Sequence, residues 1–195
     1  MIIILSTPQI ITNLIATLII FVFAAFFVAA EFALVQTRPS QLEDMLNNGQ
    51  GNQKKVKRAL HMVHSLNEYL STTQVGTTLV GVILGWFSAD TLTVIFERLF
   101  NLMPLNRSLV RTISAILGVV LLTYLEVILT EIVPKNISID MPVKMLMSIV
   151  APLQLFHTLV YPFVWLLNSS SNGLLKVMGF KPADEENQVY SQSEI

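Results

Sequence analysis

The chain has 195 residues, of which 53% are hydrophobic and 13% are charged, with a mean hydropathy of +0.63 and a formal net charge of −1. A soluble domain carries roughly 25% charged residues, so this composition is typical of an integral membrane protein. The nearly balanced charge excludes a strongly basic nucleic-acid-binding protein, and the absence of cysteine excludes disulfides and thiolate metal sites.

The first predicted crossing is the apolar run 10–35, which exceeds the roughly 20 residues that a membrane-spanning helix needs. Its polar residues are Thr12, Asn13, Thr17 and Glu31. Arg38 and Pro39 follow the run and are expected to end the helix. No basic segment precedes the run and no small-residue cleavage site follows it, so we expect it to be kept as a membrane anchor.

The next stretch, 40–68, is polar and basic, and a turn rich in asparagine and glycine divides it. The segments 41–46 and 56–66 on either side of this turn read as short amphipathic cytoplasmic helices. His61 and His64 lie three residues apart on the second segment, beside lysine and arginine. They are either a metal-binding pair or part of a solvated basic face, and the surrounding charge favours the basic face.

Two further crossings are predicted at 69–96 and 113–133, the last of which Pro134 and Lys135 are expected to end. The loop after the first crossing carries five lysines and arginines, whereas the nine residues before that crossing carry none. The positive-inside rule therefore predicts an N-terminus outside the plasma membrane and a C-terminus in the cytoplasm.

The segment 145–167 is long enough to cross the membrane, but Pro152 and Pro162 interrupt its apolar pattern. A tyrosine and a tryptophan in it favour the level of the lipid headgroups. We predict a bent helix that lies along the inner leaflet rather than a fourth crossing. His157 in this segment is interpreted as a lone interfacial histidine and is assigned no role.

Three carboxylates fall within the first and third predicted crossings, where an ionised side chain costs about 3 kcal/mol and therefore requires a partner or a function. Glu31 and Glu131 lie close to the membrane ends, within reach of water or of Arg38 and Lys135, so a structural role and an ion contact are both open. Glu126 lies deeper in its crossing, which favours a role in the interior.

Neutral oxygens and small residues occupy one face of the second predicted crossing. Gln74, Thr78, Gly81 and Gly85 recur at spacings of four, three and four residues, which places them on one side of a helix. Small residues permit close helix packing, and threonine or glutamine can bond across such a contact or ligate an ion. The pattern favours packing against the alanine-rich part of the first crossing.

The third predicted crossing gathers oxygens near its end. Thr123, Glu126 and Thr130 share one face, and Glu131 points away from Glu126 by about 140°. Pro134 donates no amide hydrogen, so it leaves a carbonyl free near Thr130. Such an all-oxygen set suits Mg²⁺, which takes roughly six oxygens at about 2.1 Å. No nucleophile–base pair, phosphate loop or dinucleotide fingerprint occurs in the sequence, so no enzyme is predicted.

Three ordered motifs then suggest a family. The segments 27–35 (FVAAEFALV), 69–79 (YLSTTQVGTTL) and 130–135 (TEIVPK) resemble the transmembrane domain of the CNNM/CorC family, the HlyC/CorC-type hemolysin membrane proteins. The resemblance covers about residues 8–181. It implies an all-α integral membrane fold with three transmembrane helices, short cytoplasmic helices and a juxtamembrane belt helix.

The resemblance also implies the organisation and the activity of the protein. Residues 1–181 would form the CNNM/CorC-type transmembrane domain, and 182–195 would begin the linker to a cytosolic CBS-domain pair that this chain does not contain. The family forms homodimers and moves divalent cations, chiefly by magnesium export, which is coupled to Na⁺ in some members.

The family holds Mg²⁺ with serine, asparagine and backbone oxygens near a Gly-Glu-x-x-Pro turn, and this chain departs from that pattern. Val28 and Ala30 stand at the serine positions, Thr77 at the asparagine and Thr130 at the glycine of the turn. Resemblance and residue chemistry together give nine predicted ion-site residues. They are Glu31, Ser71, Gln74, Thr77, Thr78, Glu126, Thr130, Glu131 and Pro134.

Two classes of function follow from these expectations. The leading hypothesis is a dimeric transporter that moves Mg²⁺ outward through an all-oxygen intramembrane site. The alternative is a regulatory membrane scaffold that senses Mg²⁺ without transporting it, which the replaced serine and asparagine positions favour. A flux measurement separates the two classes, because a sensor binds the ion and moves none.

Overall fold

A computed structural model of the chain describes residues 6–101 and 106–180, and every regular element within these ranges is a helix. The predicted all-α class is therefore confirmed. The helices are α1 (Thr7–Gln36), α2 (Pro39–Asn47), α3 (Gln53–His64), α4 (Leu66–Phe100), α5 (Arg107–Glu126), α6 (Val133–Asp140) and α7 (Pro142–Val177). A π-helical turn, Val127–Ile132, joins α5 to α6. The predicted linker, 182–195, lies outside the described residues.

Four helical runs in the described part of the chain are long and apolar enough to cross a membrane, judged by length and composition. They are Thr7–Gln36, Leu66–Phe100, Arg107–Asp140 and Pro142–Val177. The first three correspond to the predicted crossings, and the fourth, α7, raises the count from the three that we expected. A 36-residue α-helix is about 54 Å long, which exceeds the thickness of a bilayer core of about 30 Å.

Pro152 and Pro162, which interrupt the apolar pattern, lie inside one continuous helix. Each proline removes a backbone hydrogen bond, but packing along one side of α7 offsets that loss. Leu146, Val150 and Leu153 on that side are fully buried. The placement of α7 along the inner leaflet stays a prediction.

The third predicted crossing also continues past the proline that was expected to end it. The helical run extends through Pro134 to Asp140, with the π-helical turn directly before the proline. The wider turn pairs the N–H of Val133 with the carbonyl of Ile128, five residues back. In this π-helical pairing the carbonyl of Thr130 does not depend on an N–H at position 134. The helix therefore continues through the proline.

A hairpin of α2 and α3 follows α1, as the amphipathic pattern predicted. Gly49 and Gly51 at its turn adopt positive φ angles of 64° and 70°, a conformation that glycine enters without steric cost. The side chain of Asn52 accepts hydrogen bonds from the backbone N–H groups of Lys54 and Lys55 and so caps α3. The buried residues of α3 are Val56, Ala59, Met62 and Val63.

The described residues fall into two compact units, and α1 and α4 contribute to both. The first unit extends to Ala29 and resumes from Gly76 to Asp140, so it contains most of α1 and α4 and all of α5 and α6. The second unit holds Ala30–Val75 together with α7. In the second unit, α3 packs against α2 and α7.

The first unit combines an apolar core with polar contacts between helices. Phe21, Leu84 and Leu122 form its core cluster, one residue from each of α1, α4 and α5. Two hydrogen bonds also join α1 to α4 within the apolar run. The amide of Asn13 donates to the Thr91 hydroxyl at 3.0 Å, and the hydroxyls of Thr17 and Ser88 lie 2.9 Å apart. These pairs satisfy polar groups that lipid cannot satisfy.

The predicted packing stripe on α4 is wrong at both of its glycines. A Cβ built on Gly81 or Gly85 meets nothing within 4 Å. The close approach occurs instead at Gly76, where a Cβ would collide with the ring of Phe27 on α1. Small-residue spacing identified the correct helix but the wrong face, because spacing alone does not show which side a neighbour occupies.

Candidate cation site

The nine predicted ligands divide between the two units. The first unit holds six of them. These are Thr77 and Thr78 on α4, Glu126 on α5, Thr130 and Glu131 in the π-helical turn, and Pro134 on α6. The second unit holds the other three. These are Glu31 on α1 and Ser71 and Gln74 on α4.

The π-helical turn contains Thr130 and Glu131, and Glu126 and Pro134 lie near its two ends. Thr130 is buried, and its hydroxyl donates to the Glu126 carbonyl at 2.8 Å, which holds the threonine side chain against its own helix. Pro134 is also buried and has no N–H with which to satisfy a carbonyl one turn back. π-Helical turns inside α-helices are frequent at functional sites. The predicted oxygen-rich segment is therefore an irregular segment of the backbone.

Ser138 holds the helix beyond this turn in place. Its buried hydroxyl lies 2.8 Å from the Pro134 carbonyl and 3.0 Å from the Ala29 carbonyl on α1. One hydroxyl hydrogen is thus shared between the two carbonyls, and the contact ties α6 to α1. Ser138 was not among the predicted site residues, although a serine in a helix can donate to the carbonyl four residues back.

Glu126 and Glu131 supply negative charge on either side of Thr130. Glu126 is half-buried and Glu131 is exposed. A cation beside them would be attracted by both negative charges. Among residues 6–101 and 106–180, no three histidine, aspartate or glutamate side chains converge into a metal-binding group. Any ion at the turn would therefore require neutral oxygens in addition to the two carboxylates.

The predicted ligands of the second unit have mixed surroundings. Ser71 donates to the side-chain oxygen of Asn168 on α7 at 2.8 Å and lies 3.0 Å from the Asn67 carbonyl. This contact gives Ser71 a role in joining α4 to α7. Glu31 is half-buried and Gln74 is exposed. Their assignment as ligands stays a prediction.

The sequence analysis missed a buried polar cluster around His157. The ring Nδ1 lies 2.8 Å from the Thr72 hydroxyl, and Nε2 lies 3.2 Å from a Glu68 carboxylate oxygen. Beside it, the Tyr69 hydroxyl donates to the side-chain oxygen of Gln154 at 3.0 Å. The spacing of Glu68 and Thr72 at i and i+4 was a signal for one helix face, but it could not indicate a histidine 85 residues away.

These observations define a polytopic helical membrane protein with an irregular, acidic segment inside one of its long helices. The cyclin M transmembrane N-terminal domain family matches residues 14–195, and the chain belongs to this CNNM family. The resemblance drawn from the three sequence motifs is thereby confirmed.

Curated relatives in Bacillus subtilis strain 168 extend this finding. The chain is 33% identical to the protein YhdT over 185 residues, which cover 95% of the chain and 40% of YhdT. It is 30% identical to the protein YrkA over 183 residues, which cover 94% of the chain and 42% of YrkA. The chain thus spans less than half the length of these relatives.

Proposed function

We propose that the full-length protein transports divalent cations, chiefly Mg²⁺, out of the cell across the plasma membrane, with Na⁺ as a candidate coupling ion. The observation that supports this proposal most strongly is the π-helical turn with Thr130 and Glu131, inside a helical run long enough to cross the membrane. Irregular backbone at membrane depth is tolerated where it lines a cavity or is buried in protein, which suits an ion path.

The chemistry of the turn matches a hard cation. Mg²⁺ prefers oxygen ligands and gives up its water reluctantly, so it requires a site with both negative charge and neutral oxygens. Glu126 and Glu131 would supply the charge, and Thr130 would supply its carbonyl oxygen. Thr77 and Thr78 on α4 of the same unit are the proposed hydroxyl ligands. Glu31, Ser71 and Gln74 are proposed ion contacts within the second unit.

We further propose a homodimer that is embedded in lipid, with its N-terminus outside and its C-terminus in the cytoplasm. Large apolar side chains such as Val82 and Trp86 on α4 are 67% and 80% exposed in the single chain, which suits contact with lipid or with a second copy. The greater length of YhdT and YrkA supports the proposal that the full-length protein continues into further domains, here a cytosolic CBS-domain pair.

The alternative function is a membrane scaffold that binds Mg²⁺ and signals without moving it. The observation that favours it is the loss of hydroxyl and amide groups at Val28, Ala30 and Thr77, relative to the ligands that the family resemblance implies. Fewer neutral oxygens would weaken the replacement of the ion's water shell, and transport requires that replacement.

Flux measurements test the proposal directly. Full-length protein is reconstituted into vesicles that contain a Mg²⁺-sensitive dye, and a Mg²⁺ gradient is imposed in each direction. We expect flux above that of protein-free vesicles, with Mg²⁺ binding measured in parallel on the same preparation. Binding without flux would contradict transport and support the scaffold. Flux of Na⁺ without any change in the signal of the Mg²⁺-sensitive dye would contradict the choice of ion.

A further inference from the structure

Glu68, Thr72 and His157 form a hydrogen-bonded chain inside the second unit that plays no part in the proposed cation site. The Thr72 hydroxyl lies 2.8 Å from Nδ1 of His157, and Nε2 of the same ring lies 3.2 Å from the Glu68 carboxylate. Thr72 is fully buried, and the side chain of His157 is 9% exposed. Both ring nitrogens of a histidine on α7 are therefore engaged by one face of α4.

When the imidazole is neutral, the hydrogen atoms shared among Glu68, Thr72 and His157 have a consistent arrangement. The Thr72 hydroxyl donates to Nδ1, which is then the acceptor nitrogen of the ring. Nε2 carries the ring proton and donates it to the Glu68 carboxylate. Every polar atom of the ring has a partner, and the neutral tautomer is fixed with its hydrogen on Nε2.

The hydrogen bonds among Glu68, Thr72 and His157 are also all satisfied when the imidazole is protonated, because the Thr72 hydroxyl has a second acceptor. Its oxygen lies 3.0 Å from the backbone carbonyl of Glu68. When Nδ1 gains a proton it donates to the Thr72 oxygen, and the hydroxyl hydrogen turns to that carbonyl. Nε2 keeps its bond to the carboxylate, whose negative charge then faces the imidazolium. The ring thus takes up a proton by the rotation of one hydroxyl, without the loss of a hydrogen bond.

We infer that Glu68, Thr72 and His157 form a proton-binding site that joins α4 to α7. The ligand is a proton that binds at Nδ1, and Glu68 supplies the counter-charge. The Glu68 side chain is 27% exposed, so the carboxylate gives the buried ring a route for proton exchange with water.

The other titratable groups that face this chain come from three helices. The ring centroid of Tyr69 on α4 is 4.5 Å from that of His157, and the ring centroid of Tyr161 on α7 is 5.6 Å from it. His61 on α3 lies beyond Tyr69, with a ring separation of 6.4 Å. The Tyr69 ring thus has a contact with each of the two histidine rings. Glu68 is therefore the charged group in direct contact with the imidazole.

A functional consequence rests on the proposed transport. Helix α4 begins two residues before Glu68 and continues to the proposed ligands Thr77 and Thr78. A change of charge at the start of this helix is expected to alter the strength of its contact with α7. Transport would then depend on pH.

Nitrogen-15 NMR of histidine-labelled full-length protein in lipid nanodiscs tests the site without any flux measurement. We expect the Nδ1 signal of His157 to change from an acceptor nitrogen to an N–H as the pH is lowered, while Nε2 remains an N–H throughout. The signal is identified by its loss in His157→Gln. If that variant fails to fold, the signal is identified by its persistence in His61→Gln/His64→Gln. A ring that loses its proton from Nε2, or whose Nδ1 remains an acceptor at every pH at which the protein is folded, would overturn the inference.

A second arm separates the proton site from the transport proposal. His157→Gln should flatten the dependence of Mg²⁺ flux on pH, and His64→Gln, an exposed histidine on α3, should leave it unchanged. Thr72→Val removes the hydroxyl and should shift the ring to a mixture of neutral tautomers in the NMR spectrum. The expected NMR titration without Mg²⁺ flux would support the proton site and contradict transport. Flux with the same pH profile in wild type and His157→Gln would overturn the coupling.

Discussion

Replacing Glu131 with alanine should lower Mg²⁺ flux through the full-length protein at least about tenfold, which corresponds to about 1.4 kcal/mol. The substitution removes one negative charge from the π-helical turn. Two unit charges about 4 Å apart interact by about 4 kcal/mol in an effective dielectric of about 20, so partial loss of the attraction to a divalent ion suffices. The measurement is initial flux in dye-loaded vesicles at matched protein content.

The folded state should tolerate this substitution, because the Glu131 side chain is exposed in the single chain. Thermal unfolding midpoints of wild type and Glu131→Ala in the absence of Mg²⁺ are therefore expected to agree closely. Glu43→Ala is the matched control, since Glu43 is an exposed carboxylate on α2 that is remote in sequence from the turn. Equal flux in wild type and Glu131→Ala would remove the turn from the transport mechanism.

Replacing Gly76 with valine should destabilise the membrane domain by about 1–3 kcal/mol, the usual cost of overpacking a filled contact. The new side chain would collide with the ring of Phe27, which is buried between its neighbours and is only 4% exposed. The ring cannot turn to solvent, so α1 and α4 must separate or the ring must leave its rotamer. We expect a lower unfolding midpoint in detergent and a smaller yield of monodisperse protein.

Gly81→Val supplies the control for this effect on the same helix. It carries the same change in helix propensity, but a Cβ at Gly81 meets nothing within 4 Å. Its unfolding midpoint should stay close to that of wild type. A second variant, Gly76→Val/Phe27→Leu, should recover part of the lost stability because the smaller leucine side chain leaves room for the valine. Equal destabilisation at Gly76 and Gly81 would contradict the close contact.

The sequence predicted the apolar helices because length and hydropathy report directly on the cost of placing polar groups in lipid. Helices α1 and α4 were located to within a few residues at each end. The error at the end of the third crossing came from a local rule about proline. Pro134 was treated as a terminator, yet the helical run continues through it because the π-helical turn directly before it accommodates the proline.

The sequence likewise predicted some features of the candidate site and missed others. Glu126 and Glu131 could be identified from sequence, since a carboxylate in an apolar run is costly wherever its partners lie. The π-helical turn that follows Glu126 and contains Glu131 could not be identified from sequence. It depends on a one-residue shift in backbone pairing that no side-chain pattern encodes. His157 was assigned no role because its partners Thr72 and Glu68 lie on another helix, with Thr72 85 residues away, so only the folded chain brings them together.

The most direct test of the central proposal is whether Mg²⁺ binding depends on the carboxylates of the π-helical turn. Wild-type protein should gain thermal stability on addition of Mg²⁺, by about 2.7 kcal/mol at a concentration of about 100 times Kd. Glu126→Gln/Glu131→Gln should lose most of this gain while its midpoint without Mg²⁺ stays within a few degrees of wild type, and Glu43→Gln should keep the gain. Full Mg²⁺-dependent stabilisation in the double variant would contradict a cation site at this turn.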